Sequence, residues 1–249
     1  MPEISIITVS LNSGATLDDC INSVSGQTAA AEQILIDGGS TDSTAMVIEE
    51  TRDRLSKVIM EPDCGMYDAL NKGIGIAGRG IIGILHADDM YADDQVIESV
   101  VDDFSNPVVG AVYGDLVYVE RECPDKIVRR WKAGTFEPRK FYHGWMPPHP
   151  TFFVRRNLYE QFGLFRLDMG SAADYELMLR FLLVHRIKVQ YIPRVLVKMR
   201  TGGVSNASLK ARLQANRMDR KAWKVNGLRP YPWTIVAKPA RKFGQWWVR

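Results

Sequence analysis

Polar side chains cluster at three points where an apolar, strand-like run of this 249-residue chain ends. The first run ends in Thr8, Ser10 and Asn12, and the second ends in Asp37 and Gly39. The third ends in the sequence HADD at residues 86–89. Ligands of parallel sheets bind just beyond the carboxyl ends of the strands, where glycines allow close approach and a carboxylate can accept hydrogen bonds from a base or ribose. The pattern predicts a nucleotide site, although any one of these loops alone could be an ordinary turn or helix cap.

The HADD sequence has the composition of a metal site. Alternate residues that leave a strand point the same way, so His86 and Asp88, on either side of Ala87, could face one ion. Oxygen-rich sites suit Mg²⁺ or Mn²⁺ bridged to a diphosphate, where the ion acts as a Lewis acid on the leaving nucleoside diphosphate. Taken alone, the pair of aspartates before Met90 could equally cap a helix.

Alternating strand and helix signals surround these loops. Apolar runs near residues 5–10, 34–36, 58–60 and 81–85 predict strands, and apolar positions three and four apart predict helices between them. Such βαβ repetition indicates a largely parallel sheet covered by helices on both sides. Residues 73–78 match GxGxxG, but they follow a helix signal and precede a strand, so they indicate the end of a helix rather than a dinucleotide site.

Four sequence motifs, in this order and spacing, resemble the family 2 glycosyltransferases of bacterial cell-surface polysaccharide assembly, which have the GT-A fold. They are SIITVSLN (5–12), DGGSTDST (37–44), EPDCGMYDALNKGI (61–74) and LHADD (85–89), and the resemblance spans about residues 3–205. It implies a Rossmann-like, mostly parallel sheet flanked by helices. It also implies that Thr8, Ser10 and Asn12 line the nucleotide and that Asp37 reads the base. Near the ribose and diphosphate it places Asp68, Asn71 and Lys72.

The same resemblance supplies the remaining donor-side residues. Asp88 corresponds to the metal-binding member of the family's DXD motif, with Ala87 at its centre, and this chain has His86 where the first Asp usually stands. Histidine is a competent metal ligand or ribose donor, so Asp88 and His86 are the predicted metal ligands and the metal preference is left open. Arg200 precedes a glycine-containing segment that resembles the family's late loop, which closes over the diphosphate.

Asp174 is the predicted catalytic residue. It lies directly before an amphipathic helix in a segment that resembles the family's Glu-Asp motif, with Ala173 in place of the first acid and Arg180 retained. An inverting transfer needs a carboxylate that takes the proton of the acceptor hydroxyl as this hydroxyl attacks the anomeric carbon opposite the diphosphate. An N-capping aspartate is the plain alternative. By the same resemblance, the Pro-rich turn that contains His149 lies beside the acceptor and the sugar.

The last part of the chain differs in composition from the rest. Residues 207–249 contain eleven Lys or Arg and one acid, a net charge of +10, which leaves −7 for residues 1–206 because the whole chain carries +3. They also hold four of the six tryptophans. Indoles favour the membrane interface and basic side chains favour anionic headgroups, so we expect a GT-A domain at 1–206 and a helical, membrane-associating extension at 207–249. A solvated charged helix is the alternative, and no nucleic-acid-binding motif accompanies the basic residues.

The sequence as a whole predicts a cytoplasmic enzyme, peripheral on the inner face of the cytoplasmic membrane. Its first apolar run is too short for a signal peptide, and three cysteines without a CxxC pair suggest neither a disulfide framework nor a zinc site. We expect an inverting, Mg²⁺- or Mn²⁺-dependent transfer of a sugar from a nucleotide-diphospho-sugar, usually a UDP-sugar in this family, to a saccharide or lipid-linked saccharide. The alternatives are a non-catalytic nucleotide-sugar or membrane-binding module and a sugar-phosphate nucleotidyltransferase. The latter should carry a glycine-rich loop with Arg and Lys after the first strand, which residues 10–16 lack.

Overall fold

A computed structural model describes residues 3–202 and 209–238 of the chain. Within these residues, nine strands form one curled sheet in the order β3-β2-β1-β4-β8-β6-β9-β5, and β7 pairs with β6. The first four strands pair in parallel, as the βαβ pattern predicts. They are β1 (Ile4–Ser10), β2 (Ala31–Asp37), β3 (Lys57–Met60) and β4 (Ile81–Ile84).

Helices cover both faces of this parallel half. They are α1 (Leu17–Ser25), α2 (Thr44–Glu50), α3 (Met66–Ile76) and α4 (Val96–Asp103). Side chains of β1 alternate between the two apolar layers, with Ile4 and Ile6 in the layer that contains α1 and α4, and Ile7 and Val9 in the layer that contains α3. The predicted α/β class with a helix-flanked sheet is confirmed.

The GxGxxG run belongs to α3, as its context predicts. Gly73 lies in the helix where it crosses β1, and a Cβ at this position would come within 2.5 Å of the Ile7 side chain. Glycine therefore lets the helix approach the sheet closely, and α3 ends at Ile76 before β4 begins. The GxGxxG run is thus explained by the packing of α3 on the sheet and does not indicate a dinucleotide site.

The second half of the sheet is mixed. Its strands are β5 (Asp89–Tyr91), β6 (Val109–Val119), β7 (Ile127–Trp131), β8 (Phe153–Arg155) and β9 (Lys188–Arg200). β8 is antiparallel to both β4 and β6, whereas β6 and β9 run parallel. The sequence predicts two short strands in place of β9, and the structure joins them because register shifts around Asp115 absorb the irregularity between them.

Four more α-helices follow along the chain: α5 (Pro138–Tyr142), α6 (Arg156–Phe162), α7 (Ala173–Met178), which continues as a π-helical turn over Leu179–Val184, and α8 (Leu209–Val225). Helix α8 packs against the domain through Trp223, which is fully buried. The Trp223 indole N–H donates to the Tyr175 hydroxyl at 2.9 Å. Counting Trp223 among the membrane-facing indoles was therefore wrong, because the sequence alone does not distinguish a packed indole from an exposed one.

The remaining predictions for the last part of the chain are only partly covered by the described residues. Trp233 is described and is 52% exposed, whereas Phe243, Trp246, Trp247 and most of the loop after Arg200 lie outside the described residues. The boundary at residue 206 stays a prediction. Cys20, Cys64 and Cys123 are free thiols in the described structure. Over the described ranges, no helix has the length and apolar character needed to cross a bilayer.

Candidate functional site

The three polar loops meet at one edge of the sheet. Ser10 and Asp37, the last residues of β1 and β2, are register partners, and the Gly38 backbone N–H donates to the Ser10 carbonyl at 2.9 Å. Beyond β4, the Ala87 backbone N–H donates to the Val9 carbonyl at 3.3 Å. The chain after β4 thus continues along β1 and brings residues 86–88 to the same edge.

Asp37 has a different role from the one expected. Its side chain is 1% exposed, and Oδ1 accepts hydrogen bonds from the Ser10 and Ser40 hydroxyls at 2.8 and 2.5 Å. Oδ2 accepts from the backbone N–H groups of Gly39 at 3.1 Å and Ser40 at 2.8 Å. A carboxylate has about four acceptor positions, so these four bonds occupy them all. Asp37 shapes the loop, including the positive φ of Gly39, and has no acceptor left for a base.

The β1 residues divide between the interior and the surface. Thr8 is fully buried, and its hydroxyl accepts from the Gln33 amide at 3.3 Å, so only its backbone can approach a ligand. Ser10 bonds to Asp37. Asn12 is exposed, with a φ of 51°, and its Oδ1 accepts from the Thr41 backbone N–H at 2.9 Å. Asn12 therefore ties the first loop to the second.

The residues predicted near the ribose and diphosphate lie on the first turns of α3. Asp68 accepts from the Cys64 backbone N–H at 3.0 Å, which orders the start of the helix. The Lys72 ammonium lies 2.8 Å from a Glu61 carboxylate oxygen and 3.7 Å from Asp68. A hydrogen bond to Glu61 raises the pKa of Lys72, so it stays cationic beside the site. The Asn71 amide bonds to the Phe165 backbone in both directions, donating at 2.9 Å and accepting at 3.0 Å, so Asn71 anchors the loop that precedes α7.

His86 and Asp88 offer two side chains that suit a metal ion. Burial, and then the neighbouring His149 ring, lower the pKa of His86 to about 4, so its imidazole is neutral at physiological pH. Neutral imidazole is a metal ligand, and Asp88 is half-buried with no hydrogen bond to its carboxylate among the residues described. Those residues contain no cluster of three or more His, Cys, Asp or Glu that could hold an ion. One or two carboxylates, with diphosphate oxygens and water in the remaining positions, are a usual arrangement for Mg²⁺, so Asp88 fits it and His86 would add a nitrogen ligand.

Arg200 lies behind this pair rather than over it. Its guanidinium is buried, donates to the Asp88 backbone carbonyl at 3.2 Å and to the Arg121 carbonyl at 3.1 Å, and is paired with Asp19. The side chain therefore fixes the backbone of Asp88 from the interior. A direct bond from Arg200 to the diphosphate stays a prediction, and it would have to use the guanidinium N–H groups that these contacts leave over.

Asp174 reaches the same region from the other half of the sheet. Its Oδ1 accepts from the Tyr175 backbone N–H at 2.7 Å, at the first turn of α7. Burial, and then the charge of Asp174, raise the pKa of Tyr67, so its hydroxyl stays protonated beside this carboxylate. Asp174 also acts electrostatically on His86 and His149, whose ring centroids are 5.9 Å apart. The predicted base, the predicted metal ligands and His149 are thus neighbours.

A buried ion pair holds α7 in place, and the sequence analysis did not predict it. Glu176 and Arg180 form two hydrogen bonds of 3.1 and 3.0 Å one helical turn apart. Arg180 also donates to the carbonyls of Gly163 and Leu164 at 2.8 and 2.7 Å. The clamp fixes the loop after α6 against α7, the helix that carries Asp174. The i, i+4 spacing of Glu and Arg in the sequence was the signal that could have revealed it.

A family model for glycosyl transferase family 2 matches residues 5–163, more than half of the chain. The chain belongs to this family. A PGL/p-HBAD biosynthesis glycosyltransferase of Mycobacterium bovis is 28% identical to it over 211 residues, covering 82% of this chain and 80% of the relative. The resemblance read from the four motifs is therefore confirmed at the level of the family.

Solved structures confirm the GT-A-like fold of this family 2 member. A 1–349 fragment of Staphylococcus aureus TarS in complex with UDP-GlcNAc matches 98% of this chain and 73% of the fragment, with a TM-score of 0.68 and 14% identity. This chain spans 39% of the longer TarS chain. The mannosyltransferase PcManGT of Pyrobaculum calidifontis, in complex with GDP-Man and Mn²⁺, matches 95% of this chain and 69% of its own, with a TM-score of 0.66 and 18% identity.

Proposed function

We propose that this family 2 glycosyltransferase moves a sugar, with inversion, from a UDP-sugar to a saccharide or lipid-linked saccharide of the cell surface. The observation that carries the proposal is the meeting of two sets of groups at one sheet edge: the strand-end loops with His86 and Asp88, and Asp174 from α7. The TarS and PcManGT structures are complexes with the nucleotide-diphospho-sugars UDP-GlcNAc and GDP-Man, and the M. bovis relative is named a PGL/p-HBAD biosynthesis glycosyltransferase. Both support the same class of reaction.

Asp174 is the general base in this proposal. Its carboxylate takes the proton of the acceptor hydroxyl as the oxygen attacks the anomeric carbon, and the nucleoside diphosphate leaves on the opposite face. The Tyr175 backbone N–H donates to the carboxylate and limits its orientation, and the protonated Tyr67 hydroxyl lies beside it. His149, kept neutral because burial lowers its pKa, has a buried Nε2 without a hydrogen-bond partner in the described structure and is available to the sugar or acceptor.

Charge on the leaving group is the second requirement of the reaction. Lys72 contributes a cation at the start of α3, held by Glu61 and Asp68. Asp88 and His86 would hold Mg²⁺ or Mn²⁺, and the ion would neutralise the diphosphate as a Lewis acid. Mn²⁺ in the PcManGT complex supports a divalent ion for this chain.

The two alternatives explain less of the site. A nucleotidyltransferase should have a basic, glycine-rich loop after β1, whereas the loop here is polar and tied to the second loop through Asn12 and Thr41. A non-catalytic binding module has no need of a carboxylate positioned by Tyr67 next to His86 and His149. The ordered surroundings of Asp174 favour an enzyme.

A screen of donors tests the proposed function. Purified protein is incubated with UDP-, GDP-, CDP-, ADP- and TDP-sugars and a panel of saccharide and lipid-linked acceptors, with and without chelator, and released nucleoside diphosphate is measured. We expect the largest release with a UDP-sugar and its loss in chelator. Absence of release with every donor, from folded protein with metal present, would contradict the proposed transfer. Undiminished release in chelator would contradict the metal requirement alone.

Attachment to an anionic membrane completes the proposal and rests on the described end of the chain. Tyr231, Trp233 and Val236 are exposed, and the Tyr231 and Trp233 rings lie 4.9 Å apart beside His143. Exposed Arg229 adds charge to this aromatic surface, within a segment of net charge +10. Aromatic rings of this kind favour the interface, and each basic residue near an anionic surface contributes about 1 kcal/mol.

Liposome sedimentation tests the membrane attachment. We expect the wild type to bind vesicles of phosphatidylethanolamine with phosphatidylglycerol, to lose binding as salt rises, and to bind less after Tyr231→Ala with Trp233→Ala. Met46→Ala removes an even more exposed apolar side chain from α2 and serves as the control. Equal sedimentation of wild type and double variant would contradict a role for this surface.

A further inference from the structure

The donor site lacks the base-reading group that the sequence led us to expect. All acceptor positions of Asp37 are occupied by Ser10, Gly39 and Ser40. A nucleobase at this edge must therefore find its partner on another residue. Few residues are candidates for this partner, because Gly38 lies between Leu11, which follows β1, and the segment that follows β3.

Asp63 fills the space that a side chain at position 38 would occupy. A Cβ built on Gly38 would lie 2.5 Å from Asp63 Oδ2 and 3.2 Å from its Cγ. Asp63 comes from the loop after β3, and its Oδ1 accepts from the Gly65 backbone N–H at 2.7 Å. Oδ2 has no hydrogen-bond partner among the described residues, and the side chain is half-buried. One oxygen anchors the carboxylate and the other is presented at the Gly38 backbone.

Exposed apolar residues lie at the strand ends on either side of Gly38. Leu11, at the end of β1, is 60% exposed, and Met60, at the end of β3, is 50% exposed. Both adjoin Gly38, since Ser10 and Met60 are the register partners of Asp37 on either side. The Pro62 ring lies within 3.6 Å of a Cβ built on Gly39. Exposed apolar residues and one carboxylate oxygen without a hydrogen-bond partner among the described residues therefore occur around Gly38.

We propose that Asp63, and not Asp37, reads the nucleobase of the donor, and that Gly38 exists to admit its carboxylate. The inference deepens the proposed function, on which it rests. Carboxylate Oδ2 accepts a hydrogen bond from a ring N–H, which uracil has at N3, whereas cytosine has an unprotonated acceptor at the same atom. The site therefore selects uridine over cytidine diphosphate, because Asp63 Oδ2 meets a hydrogen-bond donor at N3 of uracil and another acceptor at N3 of cytosine.

Asp63→Asn changes this one chemical feature. The amide oxygen can keep the bond from the Gly65 N–H, which leaves the NH₂ group in the place of Oδ2, and a donor then faces the base. Binding of UDP and CDP is measured by calorimetry for wild type and variant. We expect UDP binding to weaken about 10- to 100-fold, because a hydrogen bond to a charged group is lost, and the preference for UDP over CDP to shrink or reverse.

Two further variants make the test decisive. Gly38→Ala places a methyl group against Asp63 Oδ2, so it should also weaken UDP binding while leaving Asp63 itself intact. Asp53→Asn makes the same chemical change on an exposed residue before β3 and should leave both affinities unchanged. Thermal melting of each variant reports folding.

The outcomes separate this inference from the proposed function. Wild-type affinity and UDP preference in folded Asp63→Asn or Gly38→Ala protein would overturn the role of Asp63 while the transferase proposal stands. Equal affinity of the wild type for UDP and CDP would overturn it as well. Failure of the wild type to bind any nucleoside diphosphate and to transfer sugar would overturn both.

Discussion

The two halves of the sheet position their functional groups in different ways. In the parallel half, β1 to β4, polar residues at the strand ends bond to one another across neighbouring loops, as Ser10, Asp37 and Ser40 do. In the mixed half, Asp174 depends on groups distant in sequence, including Tyr67 on α3 and the α7 contacts with α8. The comparison indicates that the proposed donor site is formed by the strand ends of the sheet, whereas the proposed base is positioned by helices that pack on the sheet.

Asp174→Asn separates the two halves most sharply. We expect transfer to fall about 10²- to 10⁴-fold, the usual contribution of a positioned base, while UDP affinity stays at the wild-type value because the strand-end loops are untouched. Initial rates and calorimetry on the same preparation measure both. Asp102→Asn, on the exposed face of α4, is the control. Comparable losses of rate and of UDP affinity would show that the halves are not independent.

Trp223→Ala should disturb the mixed half through its packing. Removing a fully buried indole costs about 3–5 kcal/mol of the free energy of unfolding, measured by urea denaturation. Trp223→Phe keeps most of the volume and loses the hydrogen bond to Tyr175, at a cost of about 1 kcal/mol. In each of these two variants, provided that it folds, turnover should fall by a larger factor than UDP affinity. An unchanged free energy of unfolding in Trp223→Ala would mean that α8 does not support α7.

Asp88→Asn tests the parallel half. Because Asp88 supplies the carboxylate of the proposed metal-binding pair, Mn²⁺-dependent UDP binding should weaken by at least about tenfold. Binding without metal should be unchanged. The measurement is UDP titration at fixed Mn²⁺ and in chelator, with Asp53→Asn as control. If the metal increases UDP affinity equally in wild type and Asp88→Asn, the ion is held elsewhere.

Glu32→Gln is expected to have the smallest effect on transfer and UDP binding, because it lies at the amino-terminal ends of the strands, away from the site. Burial raises the pKa of Glu32, but hydrogen bonds from Ser5 and Gly78 and the Lys57 ammonium outweigh it and lower the pKa overall. The charged form therefore stabilises the fold at neutral pH. We expect a loss of about 1–3 kcal/mol in the variant at pH 7.

The pH dependence of that loss follows from the direction of the shift. A lowered pKa means that the stabilisation is complete above the unfolded-state value, about 4.3, and is lost as pH falls through the folded-state value. The difference between wild type and Glu32→Gln should thus shrink below about pH 4. Denaturation at pH 7 and at successively lower pH, with exposed Glu50→Gln alongside, measures it. A difference that stays constant with pH would contradict a role for the charge.

The accuracy of the sequence-based predictions also differs between the two halves of the sheet. The strand-end loops are contiguous motifs, so their meeting at one edge was foreseeable from the βαβ order. The role of Asp37 was not, because a motif gives the position of a carboxylate and not the hydrogen bonds that occupy it. Tyr67 and Trp223 were missed as supports of Asp174 and α7 because their partners are far away in the chain. The sequence predicted two short strands in place of β9, because an irregular register interrupts the apolar pattern of this strand.

The anomeric configuration of the product tests the central claim, that Asp174 from one half acts in a single displacement on a donor held by the other. Wild-type protein, the UDP-sugar that gives the largest nucleotide release and a soluble acceptor are followed by ¹H NMR from the first turnover. The account predicts that an α-linked donor gives a β-linked product, with one UDP released for each glycoside formed. A product that retains the configuration of the donor would contradict it.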